Sequence, residues 1–263
     1  MKYACKATAA YFYLLKALMK ILALETSTNA CSAALIDGTQ QSHSCIERFE
    51  ISPRMHTQLI LPMIDSVLNE AGFDIKDVDV LAFGRGPGAF TGVRVGTGVI
   101  QALSYGAGIP VAQISSLAAL AQRAYHQSQF QIKKILLAND ARMKEIYFSA
   151  YELVDGFMLG IGSEEVMKPE NLGQYLSQQS ISIDNSYYQV GNAWSEYSQQ
   201  LIDVSKQCRS FSFTEDLIYP HAREVAYLAF KEAAENKLLK AEDVSPVYLR
   251  NNIAKKTELR VKS

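Results

Sequence analysis

The stretch from Val78 to Ile114 constrains the fold more than any other part of the chain. Val78 to Gly84 is a nearly continuous apolar run, and a glycine-rich loop, Gly84-Arg-Gly-Pro-Gly-Ala-Phe-Thr-Gly92, follows it. A helical segment from about Gly92 to Gly106 then leads into a second apolar run, Pro110 to Ile114. Two strands joined through one helix must lie parallel in the same sheet, because a hairpin cannot connect parallel neighbours. The chain before this unit begins differently. Ile21 to Leu24 and Cys31 to Ile36 are short apolar runs separated by Thr26-Ser27-Thr28-Asn29, and Asp37-Gly38 supplies a tight-turn signal before a third strand. Antiparallel strands followed by a parallel unit predict a mixed sheet. A chain of 263 residues exceeds what one core usually organises, so two lobes are expected.

Helical periodicity is clear from Met55 to Ala71, where Leu59, Ile60, Met63, Ile64, Val67, Leu68 and Ala71 recur at spacings of three and four before Gly72. With Leu61 these side chains cover about half the helix circumference, more than packing on one sheet requires, which predicts a second packing surface. Ser115-Ser116 caps an alanine-rich helix that runs to about His126, and the polar run Gln127 to Gln131 reads as an interlobe hinge. A second lobe then begins with a strand, Lys133 to Ala138, a turn at Asn139-Asp140-Ala141-Arg142 and a strand, Glu145 to Leu153, an order that loosely echoes the first lobe. Tyr188 to Gly191 reads as a further strand, Ser195 to Val204 as a helix, and Pro220 to Asn236 as a clear helix. The expected organisation is an extension over 1–18, an N-terminal lobe over 19–126, a C-terminal lobe over 127–220, and a helix with a basic tail over 221–263 that packs back on the first lobe.

Charge excludes a protein whose main task is to grip nucleic acid unaided, since the net charge is −1. Cys5, Cys31, Cys45 and Cys208 form no C-x-x-C pair, so neither a zinc ribbon nor a disulfide framework is signalled and a cytoplasmic location is expected. Ala9 to Met19 is too short to span a bilayer, and Met19-Lys20 looks like a second start.

Chemistry-bearing motifs are weak. The loop at Gly84, Gly86 and Ala89 matches G-x-G-x-x-A after a strand, but Pro87 and Gly88 delay the helix. No Asp or Glu occurs from Val80 to Asn139 to hold a ribose. No G-K-[ST] makes it a P-loop. Glu25-Thr26-Ser27-Thr28 ends the first strand without the glycine that lets a backbone approach a phosphate, so a polar turn is the favoured reading. His56 is followed four residues later by Ile60, which leaves no paired histidines for a metal, and no G-x-S-x-G elbow marks a nucleophile. No catalytic, metal-binding or cofactor-binding residue is therefore expected. Arg85 and Arg94 lie in the acid-free stretch and are candidates for facing an anion or a polar partner.

Several of these segments together resemble the bacterial TsaB family, also called YeaZ: Met19-Lys-Ile-Leu-Ala-Leu-Glu-Thr-Ser-Thr28, Arg54-Met-His-Thr-Gln-Leu-Ile-Leu-Pro62, Gly84 to Gly96, Asp140-Ala-Arg142 with Glu145-Ile-Tyr147, and Pro246-Val-Tyr-Leu-Arg250. The resemblance implies an α/β, two-lobed fold of the actin-like, sugar-kinase and Hsp70 superfamily, with mixed sheets flanked by helices. It implies a non-catalytic subunit that pairs with and activates a TsaD-like transferase, with a TsaE-like ATPase in the assembly. The product would be threonylcarbamoyladenosine beside the anticodon of tRNAs that read codons beginning with adenine, and tRNA would be reached indirectly or through shared contacts. Where TsaD-like sequences carry a histidine pair, this chain keeps His56; where the family usually has Asp, it has Glu25. The pairing surface is expected on the two first-lobe helices, at His56, Leu59, Ile60, Met63, Ile64, Val67, Val93, Gly96, Ile100 and Leu103, with Gly96 admitting another helix. The residues leave open a small-molecule kinase or ATPase, a metallopeptidase, and self-pairing of the isolated chain.

Overall fold

The computed structural model describes residues 17–210 and 218–250. Most of the expected N-terminal extension, and the tail beyond Arg250 with Lys255, Lys256, Arg260 and Lys262, lie outside the described residues.

The first lobe is built on a five-stranded sheet in the order β3-β2-β1-β4-β5. Its strands are β1 (Met19–Glu25), β2 (Ala30–Gly38), β3 (His43–Ile51), β4 (Val80–Gly84) and β5 (Val111–Ile114). β1 runs antiparallel to β2 and parallel to β4, so the expected mixed sheet forms around the first strand. The β2–β3 turn falls one step later than Asp37-Gly38, at Thr39 to Ser42, where the Thr39 N–H bonds the Ser42 carbonyl at 2.8 Å.

Alternation along β1 and β2 sorts the apolar side chains between two layers. Leu22, Leu24, Cys31, Ala33 and Leu35 face α1 (His56–Ala71) and α2 (Phe90–Ala107) on the outer side. Ile21, Ala23, Ala34 and Ile36 face α7 (Ala222–Ala234) on the other, beside α3 (Ser116–Gln127). Ser115 caps α3 by accepting from the amides of Leu117 and Ala118, as its position before the helix predicts. Helix α7 returns from the second lobe to pack on β1, β2, β4 and β5.

The second sheet has the order β10-β9-β6-β7-β8, with β6 (Lys134–Arg142), β7 (Glu145–Val154), β8 (Phe157–Met167), β9 (Tyr187–Val190) and β10 (Arg209–Ser210). Residues 139–142, read as a turn, instead prolong β6 through a bulge, and the reversal comes at Met143-Lys144. One face of this sheet packs on α3 through Leu117, Leu120, Ala121 and Ala124. The other is covered by the short helices α4 (Leu172–Gln178), α5 (Ala193–Glu196) and α6 (Ile202–Ser205), the last two replacing the single helix expected over 195–204. Strand β8 and helix α4 were not foreseen. The whole is the two-lobed α/β fold with mixed sheets flanked by helices that the family resemblance implies.

Candidate functional site

The glycine loop after β4 is a packing device. A Cβ on Gly88 would lie 2.2 Å from the Ser27 carbonyl oxygen, and one on Gly92 would lie 2.0 Å from that of Thr26, so the loop touches the β1–β2 turn backbone to backbone. The Ala89 N–H donates to the Ser27 carbonyl at 2.6 Å, the Arg85 N–H to that of Ile114 at 2.8 Å, and the Thr26 hydroxyl to that of Gly92 at 2.8 Å. Two of the loop's amides, those of Arg85 and Ala89, are thus bonded to the chain's own carbonyls.

Glu25 sits under this loop, fully buried. It accepts from the Ser27 amide at 2.5 Å and from the Ser116 hydroxyl at 2.8 Å, tying β1 to the start of α3. Burial raises its pKa despite those hydrogen bonds. Between the lobes lies a cleft of about 230 Å³, lined by Ser27, Thr28, Asn139, Asp140 and Asn192 among others.

The residues expected at a partner surface lie mostly on the inner face of their helices, which corrects that expectation. His56, Ile60, Met63, Ile64, Val67, Val93, Gly96 and Ile100 are buried within the chain, and Leu59 and Leu103 are half-buried against the same core. The apolar stripe of α1 packs on its own sheet and beside α2, so its width does not require a partner, and Leu61 alone of the stripe stands on the outer face. His56 donates from Nε2–H to the carbonyls of Thr28, 2.8 Å away, and Ala30, 3.2 Å away, so it fastens the β1–β2 turn. Gly96 admits a strand and not a second helix: a Cβ there would lie 2.5 Å from the Thr26 hydroxyl oxygen and 3.2 Å from Leu24 Cδ1.

Two glycines of α2 face outward, Gly98 in its middle and Gly106 at its end, each with nothing within 4 Å of its Cβ position. Gly98 shares the outer face of α2 with exposed Ala102 and with Tyr105, 84% exposed, while Leu61, 50% exposed, stands on the outer face of α1. Ile64 and Leu103 also border a groove of about 550 Å³ beside the C-terminal end of α1. Periodicity counts the apolar stripe but cannot say which side faces the sheet; the run of small residues at Gly98 and Ala102 was the available signal.

Arg85 and Arg94 are both engaged. The Arg85 guanidinium reaches Glu164 of the second lobe at 3.5 Å. Glu164 also accepts from Ser115 of the first lobe and from Tyr151 at 3.2 Å, so these groups clasp the lobes together. Arg94 lies 3.7 Å above the Phe90 ring and donates to the Tyr248 hydroxyl at 2.8 Å. The thiol of Cys31 is pushed up to about 12 by burial and by nearby Glu25, and that of Cys45 to about 11 chiefly by burial, so neither is a ready nucleophile at neutral pH. Among the described residues no group of three His, Cys, Asp or Glu could hold a metal, and no helix is long and apolar enough to cross a membrane.

Residues 49–258 match the family model for TsaD, tRNA N6-adenosine threonylcarbamoyltransferase. The tRNA threonylcarbamoyladenosine biosynthesis protein TsaB of Escherichia coli is 38% identical, over 90% of this chain and 96% of its own length. The protein of the same name from Haemophilus influenzae is 39% identical, over 89% and 95% respectively. Among solved structures, YeaZ from Pseudomonas aeruginosa superposes with a TM-score of 0.74 at 36% identity, over 88% of this chain and all of that one. With sequence match and fold in agreement, the chain belongs to the TsaB (YeaZ) family of tRNA threonylcarbamoyladenosine biosynthesis proteins.

Proposed function

We propose that this chain is a non-catalytic accessory subunit that pairs with a TsaD-like transferase and activates it, so that threonylcarbamoyl is placed on adenosine beside the tRNA anticodon. The observation that carries this reading is the outer face of α1 and α2. Leu61, Gly98, Ala102 and Tyr105 leave a layer of two long helices uncovered, with small residues where another helix could approach closely. A paralogue with the same helix pair would complete a four-helix layer about a pseudo-twofold axis. The loops that would cradle phosphate in a kinase of similar shape are packed on each other, which supports a supporting role over a catalytic one. A TsaE-like ATPase would join the pair.

The test is to mix the purified chain with a TsaD-like protein and follow co-elution on size exclusion, then transfer to tRNA. Pairing and transfer are expected from the mixture and no transfer from the chain alone. Gly98→Arg should abolish co-elution while circular dichroism stays unchanged. Co-elution of the folded variant at wild-type strength would remove α2 from the interface, and robust transfer by the chain alone would overturn the accessory role.

A further inference from the structure

Two segments far apart in sequence meet at the mouth of the interlobe cleft. The β6–β7 reversal places Arg142, Met143 and Lys144 at positive φ, of 64°, 56° and 61°. Non-glycine residues are held there only where surrounding contacts impose that backbone. Arg250 supplies those contacts: its guanidinium donates to the carbonyls of Ala141 at 3.1 Å and Arg142 at 3.4 Å and pairs with Glu145. The tip is thereby held outward, leaving Met143 74% exposed and Lys144 exposed, with the Arg142 side chain 80% exposed.

Opposite the tip stand Phe90, 46% exposed, and Tyr248, 38% exposed, their ring centroids 5.4 Å apart and Arg94 packed against both. Between tip and rings is a largely apolar pocket of about 370 Å³ floored by Pro87, Tyr147 and Val247. Pockets for small organic groups begin at about 300 Å³, so one flat ring fits without remodelling. Arg142 and Arg250 line the pocket, the first paired with Asp140 at 3.5 Å and the second with Glu145, and Arg94 and Lys144 beside them leave a local excess of positive charge on a chain of net charge −1.

We infer that this pocket takes an unstacked nucleobase of a single-stranded RNA loop, with the hairpin-tip cations on the flanking phosphates. An apolar slot with exposed aromatic rings is how proteins hold splayed bases, and the interleaved guanidinium and ammonium groups meet the phosphate charge. A peptide side chain would fill the slot but would leave Lys144 and Arg94, which among the described residues have no carboxylate of their own as Arg142 and Arg250 have, without the anions that a nucleotide carries on both sides. The identity of the RNA as the tRNA anticodon loop rests on the accessory-subunit reading; the base-binding chemistry does not.

Fluorescence anisotropy of a labelled anticodon stem-loop RNA tests this, using the full chain mixed with its TsaD-like partner across a salt series. Tyr248→Ala should weaken binding about tenfold or more, and Tyr248→Phe, which keeps the ring, should stay within about threefold of wild type. Arg142→Glu with Lys144→Glu should weaken binding and lower the salt slope by about one to two. Size exclusion of each variant with the partner and circular dichroism accompany the titrations. Loss of RNA affinity with pairing and fold intact supports the site. Unchanged RNA affinity overturns it, and so does loss of pairing in a folded variant, which would make the pocket a protein contact. If the wild-type chain does not pair at all, the accessory reading fails by itself. The same titrations on the chain alone then decide the site: loss in the Tyr248→Ala and double variants supports it, and equal or absent RNA binding by all forms overturns it.

Discussion

The two lobes share one topology and differ in their helices. In each, the first strand lies at the centre, antiparallel to the second and parallel to the fourth, so that β6, β7, β8, β9 and β10 repeat the arrangement of β1 to β5. The connections on the outer side diverge. The first lobe has helices of 16 and 18 residues there, whereas the second has α4 with 7 residues and α5 and α6 with 4 each. A helix of four residues covers a sheet edge and little more, but one of 16 presents a second face to solvent. The sheet repeat therefore provides the frame, and the length of the outer helices decides which lobe offers a surface to a partner.

The largest effect expected from this contrast concerns how the long helices sit on their sheet. Gly96→Arg should cost about 3 kcal/mol or more, because the new side chain must displace Thr26 and Leu24, and urea unfolding measures it. A variant as stable as wild type would show that α2 can lift from the sheet, making the first lobe's helix layer as loose as the second's short one.

Next comes the joint between α7 and the first sheet. Glu47 of β3 meets His221 at 3.2 Å and Arg223 at 3.5 Å. Burial opposes its ionisation, but the His221 hydrogen bond and the Arg223 guanidinium outweigh it, so its pKa is lowered. Such a group contributes stability above the ordinary glutamate value and loses it as pH falls through the depressed one. Glu47→Gln should cost about 2 kcal/mol at neutral pH, with the gap to wild type closing in acid. A gap independent of pH would mean that shape, and not charge, joins helix to sheet.

Glu25 has the opposite sign. Its raised pKa means that the folded state holds the proton more tightly, so its contribution is full below the ordinary value and declines as pH rises toward the folded one. Glu25→Gln should gain on wild type as pH rises through that window, by an amount read from paired denaturation curves. No equivalent buried carboxylate is found at the matching end of β6, where Asn139 and the half-exposed Asp140 stand. An equal pH response after neutralising Asp140 would break that asymmetry.

The smallest effects are at open helical glycines. Gly98→Ala in α2 and Gly173→Ala in α4 each meet empty space and should gain up to about 1 kcal/mol in the isolated chain, less at Gly173 because it lies in the first turn. Only Gly98→Ala should also weaken pairing, visible as a higher dissociation constant by light scattering.

Much of the fold was legible because it is written in local periodicity. Leu59 to Ala71 and the βαβ unit around Gly84 each satisfy a repeat of one period, and the structure places helix and parallel pair there. Strand β8 was hidden because only Phe157 and Met158 of it are buried; the rest is held by pairing with β7, a long-range contact that no alternation announces. Helix α4 is too short to show a period. The site was less legible for a related reason. An apolar stripe records that a helix is covered, not by what, so Ile64 and Val67 read as partner-facing from sequence although the sheet lies beneath them. The meeting of Phe90, Met143 and Tyr248 joins three distant parts of the sequence, although Asp140 to Arg142 and Pro246 to Arg250 are each marked segments by themselves.

The return of α7 to the first lobe also sets an order of events at the ribosome. One face of the first sheet is closed by Val225, Ala226, Ala229 and Phe230, and further on Leu239 bridges Val111, Val244 joins the core under α2, and the Val247 amide bonds the Arg85 carbonyl. The lobe made first on the growing chain thus waits for residues made after the whole second lobe, and one face of its sheet stays bare until they emerge.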